Sequence, residues 1–410
     1  MNNRQDNLGN EEKLLLDLCR QEFNEALVSE IRSLTKEIKV WKYFLSLANI
    51  HGVEALVCHN FQVLELLDLL PSEVSGTLRN SGLKNLARNE FNMVVTAEAA
   101  GMLEKENIPL ILLKGMALEL TVYGNKGLRQ MSDVDILVPP EKCISARRIL
   151  MDGGFESLPV KSVFHQLILK NVGKHLPSLK KKGALIEIHH ELFGDASNGL
   201  TRMFLEKSRE MELKGNKVQI PDEQLLFLYL VRHLWLHEKN NESQLRLYTD
   251  LAVLTGKEHF SVLNSDLTLL AARAEMEEPL ASRLMILGKY WKISFPEVID
   301  DFIKKWSDPG FESKFLFFLG SPKGNPPMDK SWYYRHFISE IPGVHRKFIF
   351  ILGDLFPTIR FMKSRYGCNS GMKAILFYPH RWGKLSFLWK GGPHPPDPLS
   401  RDERGKKTIE

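Results

Sequence analysis

The chain reads IPLILLKGMALELTVYGNKGLRQMSDVDILV at residues 108–138. An apolar run over 108–113 is long enough for one buried strand. It ends at Lys114 and Gly115, after which apolar residues recur at helical spacing. Turn-forming residues at 124–127 are then followed by alternating polar and apolar residues. The pattern predicts a strand, a tight turn, a helix and a second strand.

The second of these strands carries two carboxylates. Alternation over residues 132–138 places Asp133 and Asp135 on one face and Val134 and Ile136 on the other. Two carboxylates this close disfavour joint ionisation unless a positive group neutralises them. A divalent cation can do so, because hard ions take carboxylate oxygens as ligands. Lysines or backbone N–H groups can also do so, which leaves a metal-nucleotide site and a polar strand end as alternatives.

A second strand candidate reads ALIEIHHE at residues 184–191. The lysine-rich turn at 180–183 predicts a hairpin that joins this strand to residues 176–179. Glu187 and His189 share one face of the strand, so Glu187 is a candidate third carboxylate, with an exposed strand acid as the alternative. Three roles for His189 stay open: it could contact phosphate, orient Glu187 or line the site.

Taken together, these segments resemble the polymerase-beta-like nucleotidyltransferase superfamily and, more narrowly, a bacterial family of uncharacterised nucleotidyltransferases. The resemblance is clearest over about residues 105–255. It is carried by 113–138, 174–177 and 186–189, together with Arg246 and Asp250 on a later predicted helix.

The resemblance implies an enzyme that transfers a nucleoside monophosphate from a nucleoside triphosphate, such as ATP, by in-line attack assisted by two metal ions. Asp133, Asp135 and Glu187 would be the catalytic residues and the ligands of Mg²⁺ or Mn²⁺. The acceptor stays open among small molecules, sugars, proteins and nucleic acids, and so does the oligomeric state. The candidate nucleotide-binding residues are Lys114, Gly115, Met116, Arg129, His189 and Arg246.

One departure from the superfamily pattern affects this interpretation. Members commonly have Gly-Ser at the turn and use the serine hydroxyl on a nucleotide phosphate, whereas this chain has Gly115 and Met116. A catalytically inactive nucleotide-binding or regulatory protein is therefore one alternative. An interaction protein that acts through the aromatic and basic region 331–389 is another, although ordinary helices with snorkelling cations also give that pattern.

Composition is that of a globular protein with several domains. The 410 residues are 43% hydrophobic and 26% charged, and the net charge of +5 permits a nucleic-acid partner without requiring one. The four cysteines are widely spaced, so they indicate neither a zinc knuckle nor a disulfide framework. With no apolar signal region and no long apolar run, we expect a cytoplasmic protein without a transmembrane segment.

The predicted fold class is α+β, with a nucleotidyltransferase core of mixed sheet and flanking helices between mainly helical N- and C-terminal regions. Residues 164–169 are a further strand candidate, and Arg246 and Asp250, one helical turn apart, can form a surface ion pair. The expected divisions are a helical region at 1–106, the core at 107–200, a helical domain bordering the site at 201–320, a C-terminal helical region at 328–390 and a disordered tail at 391–410.

Overall fold

The computed structural model describes residues 8–390 with these gaps: 125–126, 159, 172, 194–198, 240–243, 257–261, 321–333, 336 and 340. For residues 386–390 it describes the backbone alone. The chain divides into two compact units. The first comprises residues 1–156 and 178–326, and the second comprises 157–177 and 327–410.

A seven-stranded mixed sheet, in the order β3-β4-β5-β2-β1-β7-β6, organises the first unit. β2 pairs in parallel with β5 and antiparallel with β1, and β1 pairs in parallel with β7. This confirms the predicted α+β class and the predicted hairpin, which is β4 and β5. The strands are β1 Ile111–Leu112, β2 Val134–Leu137, β3 Glu156–Ser157, β4 Leu179–Lys181, β5 Ala184–His189, β6 Arg209–Leu213 and β7 Asn216–Ile220.

Helices precede the sheet in the chain, connect several of its strands and follow its last strand. The longest, α5, runs for 33 residues, and α10 is buried over Leu225 to Val231 because its sequence is apolar almost all round. The helices of the first unit are α1 Asn10–Asp17, α2 Glu25–Glu37, α3 Trp41–His51, α4 Glu54–Val63, α5 Ser72–Glu104, α6 Lys114–Thr121, α7 Cys143–Asp152, α9 Leu200–Lys207, α10 Glu223–Lys239, α11 Leu245–Leu254, α12 Ser265–Arg273, α13 Glu277–Ile286, α14 Glu297–Trp306 and α15 Phe311–Gly320.

The second unit is mainly helical in its described residues, with a small core that includes Ile168, Ile341 and Phe350. The strand predicted at 164–169 is wrong, because the Ser162 hydroxyl accepts the N–H of Phe164 and caps a short helix there. Short apolar runs do not distinguish a strand from a buried helix. The helices are α8 Val163–Leu167, α16 Val344–Leu355, α17 Ile359–Tyr366, α18 Gly371–Ile375 and α19 Tyr378–Lys390.

Residue 200 is the predicted end of the core. The strands β6 and β7 lie beyond it, so the sheet extends to Ile220. The five-part division of the chain otherwise stays a prediction, and the tail predicted at 391–410 lies outside the described residues. Among the residues that the structure describes, no helix is both long enough and apolar enough to cross a membrane.

Candidate functional site

The centre of the site lies on the neighbouring parallel strands β2 and β5. Their register places Asp135 opposite Glu187 and Leu137 opposite His189. One potential ligand atom from each of Asp135, Glu187 and His189 lies within 4.8 Å of the other two. The structure thus brings together two carboxylates and an imidazole that the sequence separates by about fifty residues.

Asp135 is the most strongly held member of this group. Its Oδ1 atom accepts from Lys114 Nζ at 2.8 Å and lies 2.7 Å from His189 Nε2, and the residue is only 7% exposed. Burial by itself would raise the pKa of Asp135, but Lys114 and His189 together hold it well below its usual value. The carboxylate is therefore ionised at neutral pH.

Lys114 begins α6 with a left-handed backbone φ of 44°. Burial would lower the pKa of its ammonium, but the neighbouring Asp135 carboxylate more than offsets this effect and raises the pKa. The two residues form an ion pair across the strand–helix turn. Asp135 therefore does have a lysine partner, as the alternative of a polar strand end predicts.

Glu187 is partly exposed, in contrast to Asp135. Its Oε1 atom accepts a hydrogen bond from Ser178 Oγ at 2.9 Å, and its Oε2 atom lies 4.0 Å from His189 Nε2. The sequence analysis missed Ser178. The hairpin register pairs Leu179 with Ile186, and extending it by one residue would have placed Ser178 opposite Glu187.

Asp133 immediately precedes β2 and lies outside the close group of ligand atoms. It is partly exposed, and its Oδ1 atom accepts a hydrogen bond from Ser132 Oγ at 2.9 Å. Asp135 therefore joins Glu187 in the close group, whereas Asp133 is more exposed and its charge still acts on the Lys114 ammonium.

The turn at Gly115 has no room for a side chain. A Cβ atom there would lie 2.7 Å from Met131 Cγ, so glycine is required for the helix to begin this close to the loop before β2. The side chain of Met116 is 1% exposed and lies in the core. The side chain of Met116 is therefore not available to a ligand.

Arg129 forms a buried ion pair with Asp250, which has no solvent exposure. Arg129 Nε lies 2.8 and 2.9 Å from the two carboxylate oxygens, and Arg129 Nη2 lies 2.7 Å from Oδ2. Tyr123 donates its hydroxyl to the same carboxylate at 3.1 Å. Of the two alternatives for Arg246, the surface ion pair with Asp250 does not form, because α11 turns Asp250 into the core.

Arg246 contacts the loop before β2 instead. Its Nη1 atom donates to the Gln130 carbonyl at 2.8 Å, its Nη2 atom donates to Gln244 Oε1 at 2.6 Å, and Arg129 donates to the same Gln130 carbonyl. Burial lowers the pKa of Arg246 to about 9, which leaves the guanidinium charged at neutral pH. The Arg129 guanidinium disfavours the charged form of Arg246, whereas the carboxylates of Asp250 and Asp133 favour it.

Buried polar side chains fix the loop at 127–129. The carboxylate of Glu119 accepts the backbone N–H groups of Gly127 and Arg129 at 2.5 and 3.0 Å. Asn85 and Asn89 on α5 donate to the carbonyls of the same two residues at 2.6 and 2.9 Å. These three residues were not predicted from the sequence, although asparagines one turn apart on a helix are a usable signal of buried hydrogen bonds.

Helix α10 borders the site. The ring of Tyr229 is centred 6.0 Å from Lys114 Nζ, and burial raises the pKa of this tyrosine to about 12. Burial, together with the nearby Lys114 ammonium, holds the pKa of His233 well below its usual value. Both side chains are therefore neutral at neutral pH and line the site without adding charge.

Comparison with known proteins gives a family match for this chain. A family described as uncharacterised nucleotidyltransferases matches residues 39–292, which cover the sheet, the site and the helices that border it. The chain belongs to this family. The match begins within the N-terminal helices and ends beyond α13, so the family region includes both Asp135 and Asp250.

The chain is similar to a solved structure, that of an antigenic nucleotidyltransferase-like protein from Paracoccidioides brasiliensis. The two chains are 13% identical over 50% of this chain and 93% of the other, with a TM-score of 0.32. No curated protein matches the chain.

Proposed function

We propose that the protein transfers a nucleoside monophosphate from a nucleoside triphosphate to an acceptor hydroxyl, as the polymerase-beta-like superfamily does. The observation that carries the proposal is the group formed by Asp135, Glu187 and His189 on adjacent parallel strands, beside the glycine turn that opens α6. The family membership supports the same reaction class.

The donor set fits a divalent cation. Asp135 and Glu187 offer carboxylate oxygens close together, and both polar contacts of Asp135 among the described residues use Oδ1, so Oδ2 is the oxygen that faces a cation most readily. Mg²⁺ or Mn²⁺ would be held by these two carboxylates, with Asp133 on the exposed side. A bound ion of this kind supplies charge neutralisation at the phosphates and acidifies the attacking hydroxyl.

The protein's own groups position the triphosphate. The N-terminus of α6 presents the backbone N–H groups of Gly115 and Met116, and helix N-termini favour phosphate oxygens. The Lys114 ammonium lies at the same turn and adds positive charge. We infer that these three residues hold the phosphates, and that the superfamily's serine hydroxyl is replaced here by backbone contacts.

Arg246 is our candidate for a second phosphate contact. Its charged guanidinium donates to the carbonyl of Gln130, three residues before Asp133, so a phosphate bound beside this loop would accept hydrogen bonds from it. Arg129 acts indirectly in this proposal, because its guanidinium is committed to Asp250 and fixes the loop that leads through Asp133 into β2.

His189 is assigned a positioning role. Its Nε2 atom lies 2.7 Å from Asp135 and 4.0 Å from Glu187, so the imidazole fixes the separation of the two carboxylates. Of the three roles that the sequence leaves open, orientation of the carboxylates agrees best with these distances.

A second candidate function is nucleotide binding without transfer. The observation that favours it is the ion pair between Lys114 and Asp135, because an ammonium at 2.8 Å already neutralises the carboxylate that a metal would use. In the catalytic proposal this ammonium moves to a phosphate when the metal and the nucleotide bind. In the alternative it stays with Asp135.

One experiment separates the two candidates. The full chain is incubated with each of the four nucleoside triphosphates labelled at the α-phosphate, with Mn²⁺ and a cell extract as the source of acceptors. Transfer of label together with pyrophosphate release, both absent in Asp135→Asn, would support the enzyme. Saturable nucleotide binding by the folded wild type with no label transfer from any nucleotide would overturn it in favour of the binding protein.

A further inference from the structure

The second compact unit has an unusual charge distribution. Between residues 344 and 385 the chain has a single carboxylate, that of Asp354, and this residue is 1% exposed. It is neutralised internally by the Lys161 ammonium, accepts the Tyr334 hydroxyl and lies 3.7 Å from Arg381. The surface of this segment therefore presents no exposed carboxylate.

Cations of the same segment do reach the surface. Three are exposed outright, and the remainder are partly exposed in the way expected of snorkelling side chains. With its one acid buried, the segment has a surface of a single sign. The described cations on α16, α17 and α18 are Arg346, Lys347, Arg360, Lys363, Arg365 and Lys373.

Large aliphatic side chains project among these cations. Met372 and Leu376 are 80% and 77% exposed, and Ile375 is 51% exposed. The spacing of these three residues is i, i+3 and i+4, so they share one face at α18. Exposed apolar groups gathered on one face indicate an interaction site, whereas apolar side chains scattered singly need no explanation.

Other large apolar side chains of this unit are also exposed, among them Ile359, Phe356 and Trp382. Ile359 Cγ2 lies 3.6 Å from the position that a Cβ of Gly371 would take, which brings the start of α17 against the start of α18. The rings of Phe356 and Trp382 are 6.0 Å apart, and Trp382 donates its indole N–H to the Leu355 carbonyl. A tryptophan with a bound N–H and an exposed ring suits the boundary between apolar and polar surroundings.

We propose that this face, formed by α17, α18 and the start of α19, binds the surface of a membrane that contains anionic lipids. The aliphatic residues would enter the boundary between headgroups and acyl chains, and the surrounding lysines and arginines would contact lipid phosphates. The proposed attachment is peripheral, because the aliphatic residues would reach only this boundary.

The side-chain types decide between lipid and single-stranded RNA. Nucleobases stack on aromatic rings, and each stacked base needs a flat partner. The most exposed apolar residues of the face are instead Met372 and Leu376, which are flexible and aliphatic and match acyl chains better than bases. The sequence pattern of this region is also typical of ordinary helices. The exposure of its aliphatic residues favours an interaction surface instead.

The test is vesicle co-sedimentation of the full chain. Vesicles of phosphatidylcholine with about one quarter phosphatidylglycerol are compared with vesicles of phosphatidylcholine alone, at low and high salt. We expect binding to the anionic vesicles only, weakened by salt. Lys373→Glu and Leu376→Ser should each weaken it by roughly tenfold, because one removes headgroup attraction and the other removes apolar insertion.

Two controls match these variants in exposure. Leu269→Ser removes a leucine that is 67% exposed in the first unit, and Lys42→Glu reverses an exposed lysine there. Both should bind anionic vesicles like the wild type. Because Lys373 and Leu376 are exposed, their variants should retain the melting temperature of the wild type.

Three outcomes would overturn the proposal: equal binding to both kinds of vesicle, no binding to either, or equal loss in the control variants. Tighter binding to single-stranded RNA than to anionic vesicles, weakened by Trp382→Ala but not by Leu376→Ser, would replace the membrane with RNA. The proposal does not depend on nucleotidyl transfer, so failure of that reaction would leave the sedimentation result unchanged.

Discussion

Two buried aspartates, Asp135 and Asp250, differ in what surrounds them. Each is ionically paired, with Lys114 at 2.8 Å and Arg129 at 2.7 Å respectively. Asp250 has no exposure and is satisfied by a guanidinium and a tyrosine hydroxyl, whereas Asp135 lies beside a second carboxylate, Glu187. Burial and pairing alone therefore do not identify an active site. A second acid on the neighbouring strand, reachable by a cation, is the distinguishing feature.

The largest effect is expected at Asp135, the aspartate of the proposed catalytic site. Asp135→Asn should lower the rate of nucleotide transfer by roughly 10³-fold, because it removes a ligand from the place where charge is neutralised in the transition state. Single-turnover label transfer measures this effect, and a circular-dichroism melt confirms that the variant is folded. A folded Asp135→Asn with full activity would contradict the assignment.

The structural aspartate should affect stability instead. Asp250→Asn leaves the Arg129 guanidinium buried without its counter-charge, so the free energy of unfolding should fall by about 3–5 kcal/mol. Urea titration measures the change. The matched control is Asp301→Asn, whose exposed pair with Lys304 should leave the free energy of unfolding nearly unchanged. Equal losses in the two variants would remove the distinction between a buried and an exposed pair.

Metal and nucleotide should stabilise the folded protein by binding at the proposed site around Asp135. With Mn²⁺ and a nucleoside triphosphate at about a hundred times the dissociation constant, binding to the native state should add about 2.7 kcal/mol to the free energy of unfolding. The shift should vanish in Asp135→Asn, decrease in Glu187→Gln and persist in Asp301→Asn. An undiminished shift in both site variants would mean that the ligands bind elsewhere.

Acid should reveal the depressed pKa of Asp135. The folded-state pKa lies well below the usual value, so the ion pair contributes stability above the unfolded pKa of about 3.9 and loses it as pH falls through the folded pKa. The stability difference between wild type and Asp135→Asn should therefore shrink by about 1 kcal/mol or more between about pH 5 and about pH 2. Urea titrations of the two proteins across this range measure it, and a constant difference would contradict the pairing.

The sequence alone was sufficient for the local part of the site. Alternation along β2 and β5 predicted that Asp135 and Glu187 project from strands whose other faces are apolar, and these two side chains do lie together. This prediction succeeded because periodicity along one element reports which of its faces meets the core.

Partner choice was decided by the tertiary structure. Sequence spacing suggested Arg246 as the partner of Asp250, whereas the fold brings in Arg129 from 121 residues away. The Lys114 ammonium and the Asp135 carboxylate, 21 residues apart, meet only because β1 and β2 are adjacent in the sheet. Periodicity orients a side chain but does not state which element packs against it, and burial then makes the unpaired alternatives costly.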